Sequence, residues 1–324
     1  MRTNSLRPLL ALLAILFVSL VRAGTITVTS PANGDYLGLS NTLTFNISGA
    51  SVRTRVTVTA TSPTNTVTTY TTDVTPDTAG GASGSIPINF NAGAAEGQYT
   101  LSVTATESGN AYNTVTRTVT VDVTAPKFTT LTPVSGGYTR GVIKIRATVQ
   151  EANLDTWTIQ VNGQTIATGD SNPISADYDA TGLQNDGVQS IIITVTDKAR
   201  NSATQNSLQT LDRQKPTVQI VFPTESTKIS NGADVNVVVD VSDASTSSVD
   251  RTGIDVIAKK PDGTYLARVT FVSLRGTSGT TQRWTGRIRY KKGQLPSAFL
   301  LSVSAIDRAG NAAALQQINV RYGR

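Results

Sequence analysis

The chain has 324 residues, with 28 Lys and Arg against 22 Asp and Glu, a formal net charge of +6, and neither cysteine nor histidine. The missing imidazole and thiol exclude Ser-His-Asp and Cys-His catalysis and most zinc, copper and non-haem iron sites, leaving oxygen-bound calcium or magnesium as metals with a usable ligand set. Without disulfides, each domain must be held by its apolar core alone.

The first segment, MRTNSLRPLLALLAILFVSLVRA, places Arg2 and Arg7 ahead of an apolar core from Leu9 to Val21, with small or β-branched residues at Val21 and Ala23. This predicts a secretory signal, residues 1–23, cleaved after Ala23, because a core of about 13 residues is shorter than the roughly 20 that a spanning helix needs. No transmembrane segment remains after cleavage, and the expected location is extracellular or at the cell surface.

From residue 24 onward the signal is strand, with no sustained helical period. TITVTS, TLTFNIS, RTRVTVTAT, TVTTYTT, SIPINF, QYTLSVTAT and TVTRTVTVD form about seven short strands separated by Gly, Pro, Asn and Asp, the pattern of an immunoglobulin-like sandwich. Alternation turns Val56, Val58 and Ala60 to one face and Arg55, Thr57 and Thr59 to the other.

The pattern then repeats. SPANGDY at 30–36 is answered by TPVSGGY at 132–138 and more loosely by FPTESTKI at 222–229; AIDRAGN at 305–311 echoes VTDKARN at 195–201 and TATESGN at 104–110. Asp122 and Asp212 each precede a proline by four residues and are about 90 residues apart, as are Glu107 and Asp197, close to the length of one small sandwich. The predicted architecture is all-β: three tandem immunoglobulin-like sandwiches in an elongated array, at 24–121, 122–211 and 212–324, the third enlarged and basic. The Asp-x-x-x-Asn motif is expected to be a turn in which the carboxylate accepts local N–H bonds and Gly310 or Asn311 takes positive φ. With Arg200 in the glycine position of the second copy, Asn201 is expected to take that conformation alone.

These motifs, together with NLDTWTIQVNG, LQNDGVQSIIITVTDKARN and the Asp-x-x-x-Pro junctions, resemble bacterial immunoglobulin-like repeats. The resemblance implies extracellular tandem modules of adhesins, envelope proteins or secreted enzymes. It also implies a calcium alternative, since Asp122, Asp212, Asp197 and Asn201 resemble places where some tandem adhesin modules hold the ion between domains. One acid per junction is few for an ion that takes six to eight oxygens, so the sequence predicts no metal and no other cofactor, with the junction acids as turn caps and proline stiffening the joint.

Two other groups stand out. Asp177 and Asp179 would share one strand face, but no second catalytic group accompanies them, and the expectation is a non-enzymatic protein. In RWTGRIRYKKG, Arg283, Arg287, Arg289 and Lys291 share one face, with Trp284, Ile288 and Tyr290 on the other. Such a row suits an anionic cell-envelope polymer or a surface protein; the bland reading is an edge strand protected by charge. Nucleic acid is not expected as a partner of an exported chain. The sequence therefore predicts a structural spacer with an adhesive third module, the alternative being an accessory subunit that docks to a protein partner in an envelope or pilus-like assembly.

Overall fold

The structure, a computed structural model, describes residues 24–229, 234–244, 249, 251–278, 280–289 and 298–321. The expected leader and Tyr290 and Lys291 lie outside the described residues. Two compact units divide between Thr124 and Ala125.

The first unit contains β1 (Thr25–Ser30), β2 (Tyr36–Leu37), β3 (Ser40–Ser48), β4 (Thr54–Thr61), β5 (Val67–Val74), β6 (Gly81–Asn89), β7 (Gly97–Glu107), β8 (Asn110–Ala111) and β9 (Val115–Val121). They form one sandwich from sheets β1-β3-β6 and β2-β9-β7-β4-β5, with β8 paired to β7. All seven expected strands are present. Val56, Val58 and Ala60 are buried and Arg55 is exposed, as alternation requires.

The second unit contains two sandwiches. One comprises β10 (Lys127–Thr132), β11 (Gly137–Thr139), β12 (Val142–Gln150), β13 (Leu154–Val161), β14 (Gln164–Gly169), β15 (Ile174–Asp179), β16 (Gly187–Asp197) and β17 (Ser202–Leu211), in sheets β10-β12-β15 and β11-β17-β16-β13-β14. The other comprises β18 (Thr217–Phe222), β19 (Val235–Ser242), β20 (Ile254–Lys259), β21 (Tyr265–Arg268), β22 (Thr270–Ser278), β23 (Thr281–Ile288), β24 (Ala298–Ala305) and β25 (Gln316–Arg321). Its sheets run β18-β19-β23-β22 and β21-β20-β24-β25.

The sequence repeat is a structural repeat. The first strand of each sandwich shifts register once, between Val28 and Ser30, Phe128 and Thr130, and Ile220 and Phe222, in the first and third copies just before the proline and in the second two residues earlier. Such a bulge bends the strand and increases its twist, so the first pairing of each copy is bent.

Each sandwich closes on side chains from both inner faces. Leu43, Phe45, Ile86 and Leu101 fill the first core, Ile145, Ile159, Ile191 and Ile193 the second, and Val237, Val256, Phe299 and Leu301 the third. Burying each such side chain fully is worth about 1.5–3 kcal/mol, an upper figure set against the conformational entropy of ordering the chain.

The third copy departs from the others in the sheet that holds its first strand. Where β12 is flanked by β10 and β15, its counterpart β19 is flanked by β18 and β23, and β22 is added beyond β23. The longer centre of this copy therefore supplies an extra strand, and β23 is an interior strand. The edge-strand expectation for the basic segment is corrected: β23 has a neighbour on both sides, so its charges do not guard its own edge.

Trp284 lies 9% exposed in the third core, with Ile288 buried two turns of the pleat further on, while Arg283 and Arg287 are exposed on the opposite face. Replacing Trp284 by Ala is expected to destabilise the third sandwich by about 3–5 kcal/mol. Chemical denaturation of the full chain measures this; a variant with an unaltered midpoint would place Trp284 outside the core.

Candidate functional site

The Asp-x-x-x-Asn motif closes the hairpins of the second and third sandwiches in the same way. In the third, the Asp307 N–H donates to Asn311 O at 3.1 Å and the Gly310 N–H to Asp307 O at 3.1 Å, while the Asn311 N–H reaches Asp307 Oδ1 at 2.8 Å. In the second, the Asp197 N–H donates to Asn201 O at 3.0 Å and the Asn201 N–H to Asp197 Oδ1 at 2.8 Å. The left-handed residue is Gly310 at φ 89° in one and Arg200 at φ 69° in the other. The expectation that Asn201 alone would take that role is thus corrected: the turn fixes the position, and the arginine accepts the strain its geometry demands.

The motif also does more than close a turn. Asn311 Nδ2 donates both to Asp307 Oδ2 at 2.8 Å and to the backbone oxygen of Asp212 at 2.9 Å, so one amide ties the turn to the segment that enters this sandwich. Arg140, in the loop between β11 and β12, donates from Nη1 to Gly310 O at 2.6 Å. Asp212 is held in turn, its N–H donating to Thr139 O at 2.8 Å and its Oδ1 accepting the Gln214 N–H at 3.0 Å.

Around this joint three acids meet. Asp212, Asp243 and Asp307 are all buried and offer carboxylate oxygens within 4.8 Å of one another. They come from the end of β17, the end of β19 and the turn after β24. The expectation of one carboxylate per junction does not hold here, because Asp243 and Asp307 arrive from distant parts of the sequence. Three anions so close repel by about 3 kcal/mol per pair at an effective dielectric of about 20. The donor set is oxygen only, rich in carboxylate and free of sulfur and imidazole, which suits calcium among common ions.

The second sandwich repeats two of these positions. Glu151 follows β12 as Asp243 follows β19, Asp197 is the counterpart of Asp307, and the two carboxylates lie within 4.8 Å of each other. Asn201 gives Asp197 two donors, Nδ2 at 2.8 Å to Oδ2 and the N–H to Oδ1, so it positions that carboxylate. Asp122 occupies the sequence place of Asp212 and makes the same local turn, accepting the Thr124 N–H at 3.2 Å on Oδ1. Glu151, Asp243 and the second role of Asp307 were missed by sequence reasoning. The available signal was an acid immediately after the second long strand of the second and third copies.

The first copy carries a different device. Ser108 and Gly109, at φ 48° and 86°, make a two-residue turn between Glu107 and Asn110. Glu107 Oε1 accepts the N–H and hydroxyl of Ser51, each at 2.7 Å, and the N–H of Val52 at 2.6 Å; Oε2 accepts the Tyr112 hydroxyl at 2.6 Å. These donors, with the Tyr112 hydroxyl the strongest, lower the Glu107 pKa to about 2.

The basic row is divided by the structure. Arg283 makes a bidentate pair with its cross-strand neighbour Asp240, Nε to Oδ1 at 2.7 Å and Nη2 to Oδ2 at 2.6 Å. Arg287 stands opposite Asn236, and Arg289 follows the strand; both are exposed. Lys291 falls outside the described residues. Asp177 and Asp179 share an exposed face as expected, yet each is locally engaged: Asp177 pairs with Arg146 at 2.7 Å, and Asp179 accepts the Thr181 hydroxyl at 2.6 Å.

No protein-family model matches the sequence, and no curated protein matches it. Among solved structures, the chain is similar to the fibronectin(III)-like modules of Clostridium thermocellum CbhA, at 20% identity and TM-score 0.36, covering 58% of this chain and 94% of that one. It is similar to a tetra-tandem repeat from the extending region of a large adhesion protein, at 17% identity and TM-score 0.32, covering 93% and 74%. It is also similar to the FN1–FN3 domains of chicken CNTN1, at 12% identity and TM-score 0.35, covering 93% and 99%. With TM-scores below 0.5, none of these bears on the chemistry of the sites above. No helix among the described residues is long and apolar enough to cross a membrane.

The Glu107 contacts have a pH signature. Its pKa falls from 4.5 to about 2 on folding, so its contribution to stability is complete above the unfolded value and is lost as pH drops toward the folded one. Circular dichroism melts of the first unit are expected to show stability falling between about pH 5 and pH 2. Glu107→Gln should lower the midpoint at neutral pH and flatten the profile in that window. An unchanged slope would show that the carboxylate does not carry it.

Proposed function

We propose that this chain is a non-enzymatic protein of the cell surface or its surroundings, exported through the leader at 1–23. Its sandwiches, at 24–121, 122–211 and 212–324, serve as a spacer, and the third makes contact with an anionic envelope polymer. The observation that supports the contact role is the placement of Arg287, exposed on an interior strand, and of Arg289, exposed just beyond its end. An edge gives a protective reason for charge, and an interior strand does not.

A second element rests on the carboxylates. Calcium held by Asp212, Asp243 and Asp307 would turn their repulsion into attraction and fix the joint between the second and third sandwiches, beside the contacts from Asn311 and Arg140.

Two outcomes are expected. For the contact face, surface-immobilised polyanions such as alginate and polyglutamate should bind the full chain with an affinity that falls steeply with salt. Arg287→Ser with Arg289→Ser should weaken binding and flatten that dependence while changing stability by no more than about 0.5 kcal/mol. Binding that ignores the double substitution would remove the arginines from the contact, and stoichiometric capture of one envelope protein instead would favour the accessory-subunit reading.

For the joint, both tryptophans lie in the 125–324 unit, so their fluorescence reports its unfolding. Calcium at about 100 times its Kd should stabilise that unit by about 2.7 kcal/mol, chelator should reverse the gain, and Asp243→Asn or Asp307→Asn should abolish it. Equal midpoints in calcium and in chelator would leave the acids as turn residues only.

A further inference from the structure

The first sandwich contains a cleft that the basic face and the carboxylates do not involve. Its volume is about 560 Å³, within the range of small-ligand sites. The floor is aromatic: Phe90 and Tyr99 are buried and meet edge to face, with ring centroids 5.2 Å apart and planes at 68°. One wall is the turn from β4 into β5 and the start of that strand, lined by Ser62, Thr64, Thr66, Thr68 and Tyr70. The other is the end of β6 and the loop after it, with Asn89, Asn91 and Ala95.

The polar groups of the first wall are arranged in advance. Ser62 Oγ lies 2.9 Å from Thr64 Oγ1, which lies 3.3 Å from Thr66 Oγ1, and Ser62 Oγ also accepts the Thr66 N–H at 2.9 Å. Asn65, at φ 62°, shapes the turn that sets this spacing. Tyr70 joins the walls by donating its hydroxyl to Asn89 O at 2.7 Å. Thr64, Thr66, Thr68 and Asn91 remain exposed to an incoming ligand.

Charge decides the ligand class. Every residue lining the cleft is neutral. The nearest acid in the loop, Glu96, turns away, accepting the Thr124 hydroxyl at 2.6 Å and the Val123 N–H at 3.1 Å. An ion entering the cleft would lose water without meeting a counter-charge. A purely apolar ligand would desolvate hydroxyls and amides without replacing their hydrogen bonds. A neutral polyol meets both conditions, since its hydroxyls donate and accept and its C–H faces pack on rings. From the hydroxyl-lined, aromatic-floored, uncharged cleft we infer that the first sandwich binds a neutral oligosaccharide. This site is independent of the anionic contact proposed for the third sandwich.

The experiment is isothermal titration calorimetry of the full chain with cellohexaose, maltohexaose, xylohexaose and N-acetylated chitohexaose at millimolar concentrations, with a hexagalacturonate as the charged control. At least one neutral hexasaccharide should bind and the uronate should not. Thr66→Val with Thr68→Val, or Asn91→Ala on the facing wall, should weaken that binding about tenfold without moving the unfolding midpoint. Arg287→Ser with Arg289→Ser should leave it unchanged. The inference is overturned if none of the neutral sugars binds, if the uronate binds as well as they do, or if binding survives substitution of both walls.

Discussion

With no disulfide available, each sandwich depends chiefly on apolar contact between two inner sheet faces, and this constraint orders the rest of the molecule. It requires alternate residues of every inner strand to be apolar. Polar and charged groups are thereby sent to outer faces, turns and strand ends, and there the candidate sites are found: arginines on the outward face of β23, acids at strand ends, and hydroxyls on a turn and strand that border a core.

The local part of this order was legible in the sequence. Val56, Val58 and Ala60 alternate with Arg55 and its neighbours in a way that admits only a half-buried strand, and the same parity separates Trp284 and Ile288 from Arg283 and Arg287. Sequence also revealed the repeat, because turn chemistry requires particular residues at particular offsets. What it did not reveal was neighbourhood across the sheet. That β22 would lie beyond β23, and that Asp240 would stand opposite Arg283, depends on strand order, which periodicity does not encode.

The acids show the same limit more sharply. Asp212, Asp243 and Asp307 look in sequence like three separate turn residues, and Asp212 and Asp307 do serve their own turns. They become one cluster only because β17, β19 and β24 end at the same place. The motif residue Asp307 was thus read correctly for its local bonds and incompletely for its tertiary role; Asn311, which grips both Asp307 and the backbone of Asp212, connects the two levels. Arg200 gives a smaller case, in which the backbone shape of a shared turn prevails over the preference of the residue occupying it.

The contacts that seat the third sandwich on the second draw on parts with counterparts one copy earlier: an aspartate four residues before proline (Asp122 for Asp212), an acid after the second long strand (Glu151 for Asp243), and the Asp-x-x-x-Asn turn (Asp197 for Asp307), whereas the first copy has neither such an acid nor such a turn. A duplicate of the second or third copy would therefore carry the acid and the turn that this joint uses, and a duplicate of the first would not.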